Sequence, residues 1–208
     1  MATVYQYALG ALRTNCFVIA GEGGAIVIDP ASSQEVLSFL EQKKLPIGAI
    51  IVTHGHFDHF AGVPELKRKS GAKIVAPAKD VEMLSSASKS WADFMPHVPF
   101  EPIIPDMTYG DGDVFTLCGV EFKAMATPGH TAGSCLLFCP TLGKVLFAGD
   151  TLFNGSIGRT DGYSASGEQM RESLRKIALL DGDYGVFCGH GEATTIENEK
   201  TFNPYMGI

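Results

Sequence analysis

The chain has 208 residues, of which 45% are hydrophobic and 19% are charged, and its formal net charge is −7. This length can bury a sizeable core within one domain. The acidic balance argues against a general binder of nucleic acid or of anionic membranes. The first residues lack the basic and apolar regions of a signal peptide, and no apolar run reaches about 18 residues. We therefore expect a cytoplasmic protein without a membrane span.

The first half of the chain alternates short apolar runs with turn residues, which predicts several strands. Strands are predicted at 4–9, 15–20, 25–29, 47–52 and 71–76, and helices at 32–44, 60–67 and 79–84. The glycine-rich stretch 21–24 is followed by a strand. A phosphate-binding loop needs a helix N-terminus at that point, so this function is excluded.

The segment from Ser85 to Met107 is the least regular part of the chain. It is rich in proline and in bulky side chains: Trp91, Phe94, Met95, Pro96, His97, Pro99, Phe100, Pro102 and Pro105. A long loop of this kind inside a compact domain is often functional. An ordinary surface excursion anchored by its aromatic rings would have the same composition, and the sequence leaves both interpretations open.

The second half repeats the strand-rich pattern and then adds helices. Strands are predicted at 114–118, 120–126, 134–138, 144–148 and 185–188, and helices at 168–179 and 195–202. Two mixed sheets packed together, with helices outside, would bury these apolar runs. Because no linker divides the chain, we predict an α/β fold with a single domain over residues 1–208.

Cysteine usage indicates a reducing compartment. Cys16, Cys118, Cys135, Cys139 and Cys188 form an odd number with no C-x-x-C pair. All lie in or near apolar, strand-like runs, where free cysteine is commonly a small buried hydrophobe. We therefore expect five free thiols rather than disulfides or zinc ligands.

The stretch 53–59, Thr-His-Gly-His-Phe-Asp-His, stands where the predicted strand 47–52 ends. It carries His54, His56, Asp58 and His59. The first two histidines project from the same side of an extended segment, because side chains alternate with period two. Imidazole and carboxylate groups crowded at one strand end indicate a metal site, because a cation offsets the cost of bringing them together.

Three further strand ends each carry one such residue directly behind a glycine. These residues are His130, Asp150 and His190. Five of the six histidines thus stand at strand ends; His97 lies in the irregular segment and is not expected to bind metal. Seven donors are too many for one tetrahedral metal, and they suit two metals that share a carboxylate and a water.

Three threonines stand beside these candidate ligands: Thr53, Thr127 and Thr131. Each could accept a hydrogen bond from an imidazole N–H group and so orient a ligand. Each could equally be a turn residue, and the sequence does not distinguish these roles.

The motifs together resemble the metallo-β-lactamase superfamily. They are T-H-G-H-F-D-H at 53–59, P-G-H-T-A-G-S at 128–134, G-D-T-L-F at 149–153 and G-H-G at 189–191. The resemblance implies an αββα four-layer sandwich with the site at one edge of both sheets. With the period-two pairing of His54 and His56, it assigns His130 to their metal. It assigns Asp58, His59 and His190 to a second metal, with Asp150 between the two.

Within the superfamily the chain is most similar to the hydroxyacylglutathione hydrolase (glyoxalase II) branch. His56 stands where diiron flavoprotein oxygen reductases carry Glu, and Asp150 where true β-lactamases commonly carry Cys. The resemblance implies a thioesterase with two divalent metals, zinc first and iron or manganese as alternatives, and catalytic roles for Asp58 and Asp150. G-R-T-D at 158–161 also resembles the persulfide dioxygenases, which use one iron; a dioxygenase or a lactonase therefore remains an alternative.

Two departures from glyoxalase II bear on the substrate. Only residues 191–208 follow His190, so we expect no C-terminal glutathione-binding helical domain. The family's glutathione-contacting Lys and Tyr align with Arg159 and Asp161. Arg159 and Phe153 are the expected contacts to a small-molecule substrate, with Arg159 holding a carboxylate. Alternatively, Arg159 forms a structural salt bridge with Asp161 or Glu168. Monomer and homodimer both fit the composition.

Overall fold

The computed structural model describes residues 3–95 and 97–207. Its strands, in chain order, are β1 (Thr3–Leu9), β2 (Thr14–Gly21), β3 (Gly24–Ile28), β4 (Ile47–Ile51), β5 (Lys73–Pro77), β6 (Met107–Tyr109), β7 (Val114–Leu117), β8 (Val120–Ala126), β9 (Cys135–Phe138), β10 (Val145–Gly149), β11 (Leu152–Phe153), β12 (Ser156–Ile157), β13 (Gly185–Cys188) and β14 (Thr194–Thr195). Its α-helices are α1 (Gln34–Lys43), α2 (Phe57–Phe60), α3 (Val63–Ser70), α4 (Val81–Leu84), α5 (Gly167–Ala178) and α6 (Ile196–Phe202).

Two six-stranded mixed sheets form the centre of the molecule. The first has the order β1-β2-β3-β4-β5-β6, antiparallel as far as β3 and parallel from β3 to β6. The second has the order β14-β13-β10-β9-β8-β7 and is antiparallel except for the pair β10 and β13. Strands β11 and β12 form a separate hairpin.

Three apolar layers hold these elements together. Strand β2 shows why, because its side chains alternate between layers: Val18 packs towards α1 and α3, and Ile19 packs towards the other sheet. On the far side, Met170, Leu174 and Ile177 lie at helical spacing on α5 and are buried against the second sheet. The layers therefore stack as helix, sheet, sheet, helix, and the predicted αββα sandwich is confirmed.

The predicted strands and long helices match the structure to within two residues at each end. The single helix predicted at 60–67 is wrong: the structure has the short helix α2, which contains Asp58 and His59, followed by α3. Gly62, whose Cβ would lie 2.8 Å from the carbonyl oxygen of Pro30, stands between them. The sequence patterns did not predict β6 or the two-residue strands, which are too short to show a period.

All five cysteines are free thiols; Cys118 is half-buried and the other four are buried. Across residues 3–95 and 97–207, every helix is too short or too polar to cross a membrane.

Candidate metal centre

The candidate ligands meet at one edge of the two sheets. His54 follows β4, Asp150 follows β10 and His190 follows β13, each within a few residues of the strand's end. His130 lies in the turn after β8, and α2 carries Asp58 and His59. All seven predicted ligands are brought together here, and six of them are buried, His190 being half-buried. Their binding of metal stays a prediction.

Two carboxylates stand among the histidines. Asp150 Oδ1 lies 3.4 Å from His59 Nε2, and its Oδ2 lies 3.6 Å from His130 Nε2 and 3.5 Å from His190 Nε2. Asp58 Oδ2 lies 3.5 Å from His59 Nε2 and 3.3 Å from His190 Nε2. Asp150 thus contacts histidines from both predicted metal sites, which is the position expected of a shared carboxylate.

Four histidines each turn their Nδ1 atom outward to an acceptor. His59 donates to Asp29 over 2.9 Å, His130 to the carbonyl oxygen of Arg159 over 2.8 Å, and His190 to that of Leu12 over 3.1 Å. His54 Nδ1 lies 3.1 Å from Thr53 Oγ1, whose own proton goes to Asp29. With Nδ1 protonated, each Nε2 keeps a free lone pair, as metal ligation requires.

The predicted ligands also group as two metals would require. His54, His56 and His130 each offer one donor atom, and these atoms lie within 4.8 Å of one another. The same holds for Asp58, His59 and His190, and for His54 and His59 with Asp150. Three groups that overlap at His54 and His59 suit two neighbouring cations better than one.

Unsatisfied polar atoms provide a test of whether this cluster fits a cation. Within the described residues, His54 Nε2, His59 Nε2 and Asp150 Oδ1 are buried and have no hydrogen-bond partner. Leaving buried polar atoms unpaired is costly, and native structures nearly always avoid it. Imidazole nitrogen and carboxylate oxygen are suitable ligands for zinc, iron or manganese. The residues therefore fit a metal centre.

The charges in the cluster point the same way. Burial, and after it the neighbouring His130 ring, lowers the pKa of His56 to about 3. Burial, followed by the other site histidines, also lowers the pKa of His54. Burial would lower the pKa of His59 as well, but the adjacent carboxylates outweigh it and raise that pKa. Burial alone would raise the pKa of Asp58, yet the histidines beside it lower it. Positive charge beside these carboxylates is therefore favourable, and a divalent cation would supply it.

Outer residues that the sequence analysis missed hold the ligands in place. Thr14 Oγ1 donates to Asp58 over 2.8 Å. Asp29 at the end of β3 accepts from His59 Nδ1, from Thr53 Oγ1 and from the Thr53 backbone N–H. Asp29 directly follows a strand, as Asp150 does, and that position could have drawn attention to it. Thr14 gave no such signal.

Asp80, fully buried at the start of α4, was also missed. Its Oδ1 accepts from the Gly133 N–H over 2.8 Å, and its Oδ2 accepts from the Gly55 N–H over 2.9 Å and from Thr131 Oγ1 over 2.7 Å. Burial, despite these hydrogen bonds, raises the pKa of its carboxyl group. Asp80 therefore ties the His54–His56 segment to the loop that carries His130.

Of the three threonines, only Thr53 contacts a ligand imidazole. Thr127 pairs with Thr151 over 3.0 Å, and Thr131 bonds to Asp80 and to Ser134. These two residues stabilise the loops around the site rather than a histidine ring.

Strand β2 is hydrogen-bonded to the end of β13 and to the segment that follows it. The Asn15 backbone N–H donates to the carbonyl oxygen of Gly189 over 2.7 Å. Its side-chain Nδ2 donates to the carbonyl oxygens of Cys188 and Gly191, both over 2.9 Å. These bonds fix the segment that carries His190 against β2.

Two of the glycines that precede candidate ligands allow other residues of the site to approach closely. A Cβ on Gly189 would lie 2.1 Å from Asp150 Oδ1 and 2.9 Å from His59 Cε1. A Cβ on Gly149, whose φ is +48°, would lie 2.6 Å from Thr53 Oγ1. A side chain at Gly189 would displace two candidate ligands, and one at Gly149 would displace the Thr53 side chain.

Gly189→Ala should therefore weaken metal binding without unfolding the protein. The two nearest atoms are Asp150 Oδ1 and His59 Cε1, which belong to side chains that can move, but their movement takes them out of the cluster. We expect metal affinity to fall by more than about tenfold, the lower range for disturbing a ligand's surroundings. Competition with a chelator measures this. The control is Gly110→Ala, where the nearest atom would be 4.0 Å away; an equal loss in both variants would contradict the argument.

A pocket of about 710 Å³ opens above the cluster. Beyond the candidate ligands it is lined by Leu12, Trp91, Phe94, Met95, Phe153 and Arg159. Four residues of the irregular segment therefore form one wall of the pocket: Ser90, Trp91, Phe94 and Met95. Of the next two residues, Pro96 lies outside the described residues and His97 is exposed. Both predicted substrate contacts face this pocket.

Arg159 also forms the salt bridge that the sequence analysis kept as an alternative. Its Nε donates to Asp161 over 2.7 Å and its Nη2 over 2.9 Å, both groups being exposed. Its guanidinium carbon lies 4.5 Å from the centre of the Trp91 ring. Glu168, the other proposed partner, has no ion pair with Arg159 in the described structure.

The fold and this cluster define a class of protein. Two mixed sheets between helices, with five histidines and two aspartates at one edge, are the arrangement that the sequence motifs predicted. The profile of the Metallo-beta-lactamase superfamily matches residues 9–190. The chain belongs to the metallo-β-lactamase superfamily, whose members are generally hydrolytic enzymes.

Relatives and solved structures agree with this assignment. The chain is 34% identical over 202 residues to the hydroxyacylglutathione hydrolase GloC of Haemophilus influenzae, and the match covers 94% of each chain. The crystal structure of BLEG-1 B3 metallo-beta-lactamase superposes with a TM-score of 0.91 at 30% identity, covering 99% of this chain and 100% of that one. TTHA1623, solved in a di-iron-bound form, superposes with a TM-score of 0.86 at 28% identity and covers 97% and 99%. The resemblance to glyoxalase II-like proteins is confirmed.

Proposed function

We propose that the protein is a dinuclear metal-dependent hydrolase whose substrates are thioesters of the hydroxyacylglutathione type. The observation that carries the proposal is the convergence of seven histidine and aspartate side chains, several with unpaired buried donor atoms, at one place where five of them line a pocket. The similarity to a hydroxyacylglutathione hydrolase over nearly the whole of both chains supports the thioester as substrate.

The residues divide between two cations. His54, His56 and His130 would hold one, and Asp58, His59 and His190 the other, with Asp150 shared. Zinc is our first choice, with iron or manganese as alternatives, since the donor set suits all three. Two bound cations would supply a hydroxide at neutral pH and polarise the carbonyl group to be attacked.

The protein's own side chains would complete the reaction. Asp58 lines the pocket, and the Thr14 hydroxyl fixes one of its oxygens. It is therefore placed to accept a hydrogen bond from the attacking water and to orient it. The leaving thiol has a pKa of only about 8.5, so it departs with little need for a general acid. No serine or cysteine nucleophile is needed.

The pocket walls would select the substrate. Phe153 offers an apolar surface beside His190, with ring centres 6.1 Å apart. Arg159 at the mouth could bind a carboxylate of the substrate, which would have to compete with Asp161 for the guanidinium group.

Metal analysis paired with a substrate panel tests the proposal. We expect two metals per purified chain and rapid hydrolysis of S-lactoylglutathione that is lost on dialysis against a chelator and regained with Zn²⁺. One iron per chain, with oxygen consumed in the presence of glutathione persulfide, would instead establish a persulfide dioxygenase. Turnover of lactones but not of thioesters would point to a lactonase.

A second candidate activity is hydrolysis of a β-lactam ring. The observation that favours it is the TM-score of 0.91 with BLEG-1 B3 metallo-beta-lactamase. A chromogenic cephalosporin in the same panel tests it. We expect turnover at most at a low rate, and faster turnover of the cephalosporin than of the thioester would reverse our order of preference.

The remaining proposals concern the protein as a whole. We propose that residues 1–208 act as one catalytic domain, in the cytoplasm, as a monomer or homodimer. Both sheets contribute ligands to one site, which supports a single domain. Five free thiols support a reducing compartment.

A further inference from the structure

One histidine of the metal centre is held differently from the others. In the described structure, four of the five site histidines donate an outward-facing ring N–H to a protein acceptor. In His56 it is Nδ1 that faces the cluster, 2.8 Å from His130 Nε2. His56 Nε2 is buried and has no partner among the described residues. A hydrogen bond to an outer residue therefore does not fix the orientation of this ring.

An aromatic ring takes the place of that hydrogen bond. The imidazole of His56 stacks on the indole of Trp91 with ring centres 4.3 Å apart and planes only 12° from parallel. The other ring contacts of His56, with His54 and His130, are edge-on. Trp91 is thus the flat surface against which the His56 ring lies.

The protein fixes Trp91 firmly enough for this purpose. Its backbone is left-handed, with φ of 64° and ψ of 18°, which is uncommon for a bulky residue. Directly before it, the carbonyl oxygen of buried Ser90 accepts a hydrogen bond of 2.9 Å from the N–H of Phe57. Since Phe57 directly follows His56, this bond ties the backbones of the two stacked residues together.

The loop that contains Gly162 leaves space for the indole ring of Trp91. A Cβ on Gly162 would lie 2.4 Å from Trp91 Cζ2, so a side chain there would push the ring away. Arg159, held by Asp161, lies with its guanidinium over the same ring. Two separate segments of the chain, the start of α2 and residues 159–162, thus determine where the indole lies.

We propose that Trp91 is a positioning residue that orients His56 for metal binding by stacking rather than by hydrogen bonding. The inference rests on the proposed metal centre. The indole limits rotation of the imidazole and keeps Nδ1 turned towards His54 and His130. It does so without placing an acceptor next to Nε2.

Zinc binding by two variants tests the role of the flat ring. Trp91→Leu fills part of the space without a π face, and Trp91→Tyr keeps an aromatic ring. Trp91→Leu should lower the affinity for one of two zinc ions by about tenfold, as loss of an orienting partner typically does. Trp91→Tyr should stay within about threefold of the native affinity, because a ring still covers the imidazole. Calorimetric titration with Zn²⁺ measures both.

Phe100→Leu is the matched control. Phe100 anchors the same irregular segment through Phe57 and Phe60, with ring centres 5.6 and 6.4 Å away, and is not part of the pocket lining. It should leave zinc affinity unchanged. Native affinity in Trp91→Leu, equal losses in the two Trp91 variants, or a tenfold loss in Phe100→Leu would each overturn the inference. If the native protein failed to bind two zinc ions, the proposed function would be overturned as well. The titration of the native protein alone decides this point.

Fluorescence tests the stack without metal. Trp91 is the one tryptophan of the chain, so its emission can be followed in the native sequence. His56→Ala removes the ring that covers it and should increase quenching of the emission by acrylamide. Quenching equal to that of the native protein would overturn the stack itself, whatever the metal content.

Discussion

Replacing Asp150 by alanine should abolish hydrolysis and remove one metal from each chain. Asp150 reaches histidines of both predicted sites, with its oxygens 3.4 to 3.6 Å from three Nε2 atoms. Loss of an outer-shell partner typically costs 10–100-fold in metal affinity or activity, so loss of the shared carboxylate should cost more than about 100-fold. Metal analysis and S-lactoylglutathione turnover on the same preparation measure both effects.

Asp93→Asn is the control for this variant. It removes the same charge from an exposed position of the irregular segment, outside the pocket lining. It should retain both metals. If Asp150→Ala protein turned over thioester at the native rate, the shared-carboxylate mechanism would be wrong.

Replacing Asp80 by asparagine should both destabilise the fold and weaken metal binding. Both carboxylate oxygens are acceptors, and two of the three donors are backbone N–H groups on different loops. An amide has one acceptor oxygen, so its NH2 group must face at least one of these donors. An unsatisfied buried donor costs about 1–3 kcal/mol, and we expect a loss of that size in the free energy of unfolding.

The two loops that Asp80 joins carry ligands of one predicted metal site. Without this link, the segment that contains Gly55 can separate from the loop that contains Gly133. His54 and His56 would then move away from His130. We expect metal affinity to fall together with stability, measured by urea unfolding and by metal titration. Asp106→Asn is the control, because Asp106 also accepts a backbone N–H but lies on the surface beside Lys67. A metal affinity unchanged in Asp80→Asn would contradict this role.

The sequence predicted the fold well because the burial of a strand or helix determines which of its positions are apolar. Runs such as 47–51 are apolar throughout, since both faces of a central strand are covered. Polar residues that follow these apolar runs then identified the candidate ligands at the strand ends. The split between α2 and α3 left no such trace, because it depends on Gly62 packing against the segment that contains Pro30.

The outer residues of the site were harder to predict. Thr14 lies 44 positions from Asp58, and Asp80 lies 51 positions from Thr131, the residues that they contact. Hydrogen bonds across such separations depend on how the sheets and loops pack, and a single sequence records no pairing between them. The stacking of Trp91 on His56 is of the same kind: composition drew attention to the segment, and only the packed structure brings the two rings together.

The bonds from Asn15 to Cys188 and Gly191 span 173 and 176 positions of the sequence. Contacts between residues so far apart in the sequence form slowly, because the chain loses much of its conformational entropy before these contacts stabilise it. During synthesis, His190 emerges from the ribosome long after His54 and His56, so the completed ligand set is a late product of folding. A cation that binds only this set then stabilises the whole fold by mass action. With the proposed metal centre, we therefore expect metal supply and folding yield to be coupled.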